Sequence, residues 1–194
     1  MNDQRTICIF SNLKLKPMIQ DINIADATIY VGTYKKYNEG SLYGDYLKLS
    51  DYASKEDFYK ACRKLHKDEQ EPEYMFQDFE DIPRSLIGES WLSERFFEVR
   101  DAIENIIEKQ KPFLIWCNNG HRDLSQEDID DLISDFENDY IGHYDSEEDY
   151  VRELIEERSD LSAFAKQYFD YEGYTADLFC GEYWSEDGHI FYNS

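Results

Sequence analysis

Two pairs of residues have the separation of zinc ligands. Cys62-x-x-x-His66 and Cys117-x-x-x-His121 would together supply two thiolates and two imidazoles, a set that closes a tetrahedral zinc site. Neither half is a Cys-x-x-Cys knuckle, and lone cysteines on apolar faces serve packing more often than coordination. The aspartate-rich run from Asp128 to Asp139 offers oxygen ligands for calcium. It lacks the glycine at the sixth loop position, and its apolar residues recur at helical spacing. Asp78 and Glu80, close to Glu71 and Glu73, have the composition of a nuclease carboxylate cluster. A nuclease must also hold DNA, and a chain with a net charge of −23 and no basic stretch repels it. No Gly-rich phosphate loop, nucleophile elbow or paired His-Glu motif is present in the sequence. The reading is a protein that is not an enzyme and uses no metal and no cofactor. A metal-dependent hydrolase built on these clusters is the enzyme alternative.

The charge itself is the stronger signal. Forty-three acidic residues face 20 basic ones, far more imbalance than solubility needs in 194 residues. Like charges repel and destabilise a compact state, so the excess calls for a reason. With 16 Tyr, 12 Phe and 3 Trp the chain is too aromatic to be a disordered acidic tail. Its direct partners must be basic surfaces or cations, which excludes nucleic acid and anionic membranes. The amino terminus lacks the apolar stretch of a signal peptide, and no window approaches the length of a membrane span. Cys8, Cys62, Cys117 and Cys180 show no disulfide spacing, so reduced thiols in a cytoplasmic protein are expected.

The acid is laid down in blocks. Residues 1–67 hold 11 basic and 8 acidic side chains, residues 68–108 hold 3 and 13, and residues 123–160 hold 2 and 16. Between the two acidic blocks Lys109, Lys111 and Arg122 stand alone.

The elements that carry these blocks are legible. Ile29–Tyr34 and Tyr43–Leu49 alternate as strands, joined by a loop with Asn38, Gly40 and Ser41. Ser54 with Asp57 caps a helix through Phe58, Ala61, Cys62 and Leu65. A helix is expected from about Ser93 to Gln110, stopped before Pro112. Ser125 with Asp128 should cap another, carrying Ile129, Leu132, Ile133, Phe136 and Tyr140 on one face. Ser146 with Asp149 caps a third, and Leu178–Trp184, Asp187-Gly188 and His189–Tyr192 read as a hairpin. The expected class is α+β, with small modules carrying short antiparallel sheets at both ends and acidic helices between.

Within these helices the carboxylates fall off the apolar faces. Glu94, Glu98, Asp101, Glu104 and Glu108 lie opposite or beside the stripe of Phe96, Val99, Ile103 and Ile106. Asp128, Asp131, Asp135 and Asp139 line one edge of the next helix, and Glu147 and Glu148 open the third. Steps of three or four residues advance roughly 4.5–6 Å along a helix. Duplex DNA presents one charge per about 1.7 Å, so 23 charges match about 39 Å of duplex. Most acidic runs are merely solvated faces, but such faces mix Lys with Glu for pairing, and from Asp123 to Asp160 only Arg152 and Arg158 are basic.

The segment IYVGTYKKYNEGSLYG from Ile29 to Gly44 resembles the ArdA antirestriction proteins. The resemblance continues through DFYKACRKLHKDEQEPEYMFQDFE, from Asp57 to Glu80, and returns at FDYEGYTADL, from Phe169 to Leu178, and at GHIF, from Gly188 to Phe191. Between about Ser90 and Tyr168 only the acidic helical character is shared, and residues 1–27 lie outside it. The resemblance implies a dimeric DNA mimic, an elongated string of three small modules, which here would span residues 1–89, with 1–27 an extension, then 90–140 and 141–194. Such a protein inhibits type I restriction-modification enzymes by occupying the DNA-binding groove of the methyltransferase core. It implies no catalytic residue. From charge alone, a module that sequesters another basic DNA-binding protein remains the alternative.

Overall fold

The computed structural model describes residues 22–119 and 122–193. Cys8, His121 and most of the expected extension lie outside the described residues. The rest falls into two compact units, residues 22–134 and 135–193, each considered by itself.

The first unit is built on an antiparallel sheet of order β2-β1-β3, with β1 at Thr28–Thr33, β2 at Asp45–Lys48 and β3 at Tyr74–Glu80. Alternation decides which face is buried: Ile29 and Val31 are fully enclosed, while Tyr30 pairs with Tyr46 and Asp78 on the other face. The core face is covered by α2, Lys55–Leu65, whose Phe58 meets Phe76 of β3 with ring centres 5.9 Å apart. Ser54 caps α2 as expected, its hydroxyl accepting from the Asp57 amide at 3.3 Å. The connection from β1 to β2 is more ordered than a plain loop. Residues Tyr34–Asn38 form the single turn α1, capped by Thr33, and Gly40 follows at φ 79°. At Gly44 a side chain is impossible, because its Cβ would lie 2.5 Å from the Val31 carbonyl.

The expected long helix from Ser93 is two helices. α3 runs Phe96–Glu104, a 3-10 turn covers Ile107–Lys109, and α4 begins at Gln110 and runs to Asn119. Pro112 therefore opens a helix instead of ending one. It is the third residue of α4, where an amide proton has no intrahelical partner to lose. In α4 every residue from Pro112 to Cys117 is buried, as in a core helix apolar on all sides. The buried Arg100 of α3 donates to the Leu49 and Tyr52 carbonyls, both at 3.0 Å. Gln110 donates to the Ile22 carbonyl at 2.6 Å and accepts from the Ile24 amide at 3.2 Å. These bonds hold the helical segment on the sheet segment within one unit.

α5 spans Ile129–Asp139 and crosses the boundary between the units. Its cap is Asp128, not Ser125: the Asp128 carboxylate accepts from the amides of Asp130 and Asp131 at 3.0 and 3.3 Å. Ser125 instead closes a turn on Asp123.

The second unit carries a sheet of order β4-β6-β5, from β4 at Tyr140–His143, β5 at Tyr183–Glu186 and β6 at His189–Tyr192. Against it pack α6, Glu147–Glu156, and α8, Tyr171–Leu178, with the short α7 at Ala163–Gln167 between them in sequence. The core is Tyr150, Val151, Ile155, Leu178, Tyr183 and Ile190. Ser146 caps α6 as expected, accepting from the Asp149 amide at 3.1 Å. Tyr140 begins a strand instead of closing the helical face, and Leu178 ends a helix, so the hairpin starts at Tyr183 and not at Leu178. Its turn is the expected one, with Asp187 at φ 53° and Gly188 at φ 78° in a two-residue left-handed pair. The fold is thus α+β with two small antiparallel sheets.

Candidate acidic surface

The carboxylates singled out in the sequence have three different fates. Glu94, Glu98 and Asp101 surround α3 and are exposed, but each has a cation. Lys55 pairs with Glu94, Arg95 grips Glu98 with two bonds of 3.1 Å, and Arg100 meets Asp101 at 2.7 Å. Glu104 ends α3 without such a partner among the described residues. Glu108 sits on the 3-10 turn, so the break after Glu104 removes it from the α3 row.

On α5, Asp131 and Asp135 are exposed, and neither has an ion-pair partner among the described residues. Asp128 is exposed but committed to the cap. Asp139 is 9% exposed and does not belong to the acidic row. A step of four from Asp135 carries it to the last residue of α5, where the chain turns into β4 and the side chain is covered.

In the second unit Glu147 and Glu148 occupy the first turn of α6, where negative charge is favoured by the helix dipole. Glu147 accepts from the Ser185 hydroxyl at 2.6 Å, and Glu148 pairs with Arg152. The more outward-looking row on this helix was not picked from the sequence. Asp149, Glu153 and Glu157 are exposed at successive steps of four and have no cation in ion-pair reach among the described residues. Their spacing, opposite Val151 and Ile155, was the available signal.

The metal candidates are otherwise engaged. His66 is fully buried, with Nε2 3.1 Å from the Val31 carbonyl and Nδ1 3.0 Å from the Lys36 ammonium, so neither ring nitrogen faces Cys62. Burial pushes the Cys62 and Cys117 thiols up to about 12, which disfavours the thiolate a metal requires. Asp78 accepts from the Tyr46 hydroxyl at 2.7 Å on the outer face of the sheet. No three metal-ligating side chains converge among the described residues. A cleft of about 420 Å³ in the second unit is lined by Arg152, Glu156, Lys166 and Tyr171 among others, with Lys166 paired to Glu156 at 3.7 Å. No helix among the described residues is long and apolar enough to cross a membrane.

Fold and surface together define an acidic α+β protein whose helices turn rows of carboxylates to solvent. The family model described as Antirestriction protein (ArdA) matches residues 29–191, from the start of β1 almost to the end of β6. The chain belongs to the ArdA antirestriction family. No curated protein matches the sequence.

Proposed function

We propose that this chain blocks type I restriction-modification enzymes by lodging in the DNA-binding groove of their methyltransferase core. Its carboxylates stand there in place of phosphates. The observation that carries the reading is the set Glu104, Asp131, Asp135, Asp149, Glu153 and Glu157. All are exposed, all stand off apolar helix faces, and none has an ion-pair partner among the described residues. Exposed charges without ion-pair partners contribute little to the fold, so their use lies in an external cation-rich surface. A groove that binds duplex DNA is lined with Lys and Arg spaced for phosphates, which is the complementary surface. Inhibition then needs no bond cleavage and no cofactor. The protein competes for the site in the cytoplasm as a homodimer, and it does not itself bind nucleic acid.

The test is the plating efficiency of unmodified phage on a host with a type I restriction system, with and without the protein. Plating should rise towards that on a host without restriction. If restriction persists, while a pull-down recovers some other basic DNA-binding protein, the acidic surface serves a different target and the reading fails.

A further inference from the structure

The tryptophans of the chain are placed very differently. Trp116 is fully buried in α4, and Trp184 stacks on Phe191 with ring centres 4.2 Å apart, whereas Trp91 is 47% exposed. Tryptophan is highly buried on average, so an indole half in solvent leaves open the kind of contact area that interfaces use most.

The exposed position is a fixed one. Trp91 closes a turn from Gly88, whose amide donates to the Trp91 carbonyl at 2.9 Å. On either side Ile87 bridges to Leu92, and the Ser93 amide donates to the Leu86 carbonyl at 2.8 Å. The Phe76 amide of β3 donates to the Glu89 carbonyl at 2.6 Å, which ties the turn to the sheet. Leu86, Ile87 and Leu92 are buried, so Trp91 stands out from a segment anchored on both sides of it. The indole rests on Gly88, where a Cβ would overlap its Nε1 and lie 2.6 Å from its Cε2. A side chain at position 88 would push the ring aside.

The surroundings are acidic. Trp91 lies in the block of residues 68–108, with 13 acidic and 3 basic side chains. Glu89 is exposed two residues before it, its carboxylate within reach of the Tyr34 hydroxyl. Glu94 is exposed three residues after it and pairs with Lys55. Arg122 covers the Trp116 ring and Arg152 covers that of Tyr171, but no cation of the described residues covers Trp91. An open aromatic face beside negative charge receives a cation, and indole is the best of the aromatic faces for it.

We infer that Trp91 and Glu89 take up one arginine or lysine side chain of the enzyme groove, the cation lying against the indole and facing the carboxylate. The inference rests on the inhibitory reading above and adds an anchoring point to it. Exposed carboxylates attract through charge that salt screens, whereas the indole also removes apolar surface from water. Trp91 therefore holds the complex where salt weakens the acidic rows.

The experiment is displacement of a labelled duplex from the methyltransferase core of a type I enzyme by the full-length protein and its variants. Trp91→Ala should weaken displacement by about tenfold or more. Trp91→Leu keeps apolar bulk without the π face and should weaken it nearly as much, while Trp91→Phe should recover part of the loss. Gly88→Ala displaces the ring and Glu89→Gln removes the charge, and each should weaken displacement severalfold. Circular dichroism of the Trp91 variants should match that of the unaltered protein, because the side chain lies outside the core. If the unaltered protein displaces the duplex and Trp91→Ala does so equally well, this inference falls alone. Undiminished displacement by Trp91→Leu likewise overturns the cation contact. If the unaltered protein displaces nothing, the inhibitory reading falls and this inference falls with it.

Discussion

The ammonium of Lys36 lies 3.0 Å from Nδ1 of His66, while Nε2 of the same ring faces the Val31 carbonyl at 3.1 Å. An ammonium has only protons to give and a carbonyl only lone pairs, so Nδ1 accepts and Nε2 donates. Lys36 also reaches Asp68 at 2.9 Å and Glu69 at 3.5 Å, and Glu69 accepts from the Thr33 hydroxyl at 2.7 Å. The side chains of Lys36 and Glu69 are only 12% and 6% exposed. This network fastens α1 and the end of α2 to β1.

Replacing Lys36 by Met should therefore cost stability, because Nδ1 of the buried His66 loses its donor and Glu69 keeps only the Thr33 hydroxyl. The expected loss is about 1–3 kcal/mol, read as a lower urea midpoint. Inhibition per folded molecule should not change. An unaltered midpoint would show that the network is not a structural tie.

The two buried thiols give a pH prediction. Burial raises Cys62 and Cys117 from the usual 9.0 to about 12. Between these values the native state keeps protons that the unfolded chain releases, so stability falls as pH rises through that window. At a pH of about 8, an accessible cysteine near 8.5 reacts readily with an aromatic disulfide reagent. In a Cys8→Ser, Cys180→Ser variant the reaction should wait for unfolding. A fast native reaction would contradict the burial of Cys62 and Cys117.

The acidic helix α5 separates structural from external carboxylates. Asp131→Asn with Asp135→Asn should leave the circular dichroism spectrum unchanged and reduce inhibition more than either change alone. Asp128→Ala removes a cap and should cost about 1 kcal/mol of stability. Asp139→Asn alters a buried side chain and should affect folding before inhibition. A single exposed residue whose loss abolishes inhibition in folded protein would point to a discrete site instead of a distributed one.

What could be read from the sequence was local. The caps at Ser54 and Ser146 and the Asp187-Gly188 turn depend on neighbours within four residues, and all three stand as expected. The α+β class followed from them. α4 carries no helical period because it is buried on every side, and Pro112, which reads as a stop, occupies its first turn. β3 was missed because Asp78 and Glu80 look like site residues, although they alternate on the outer face of a sheet. Of the acidic surface, the helices were legible but the partners were not. The cations that pair with Glu94 and Asp101 are Lys55, distant in sequence, and Arg100, whose burial no pattern announces.

The central claim is that carboxylates occupy a groove meant for phosphates, and displacement measures it directly. A fluorescent duplex bearing the target sequence is bound to the methyltransferase core of a type I enzyme, and the protein is titrated in while anisotropy is followed. The account predicts complete release of the duplex, with an apparent affinity that weakens steeply from low to moderate salt as the exposed charges are screened. Duplex that stays bound while the enzyme is inhibited, or a competition indifferent to salt, would contradict it.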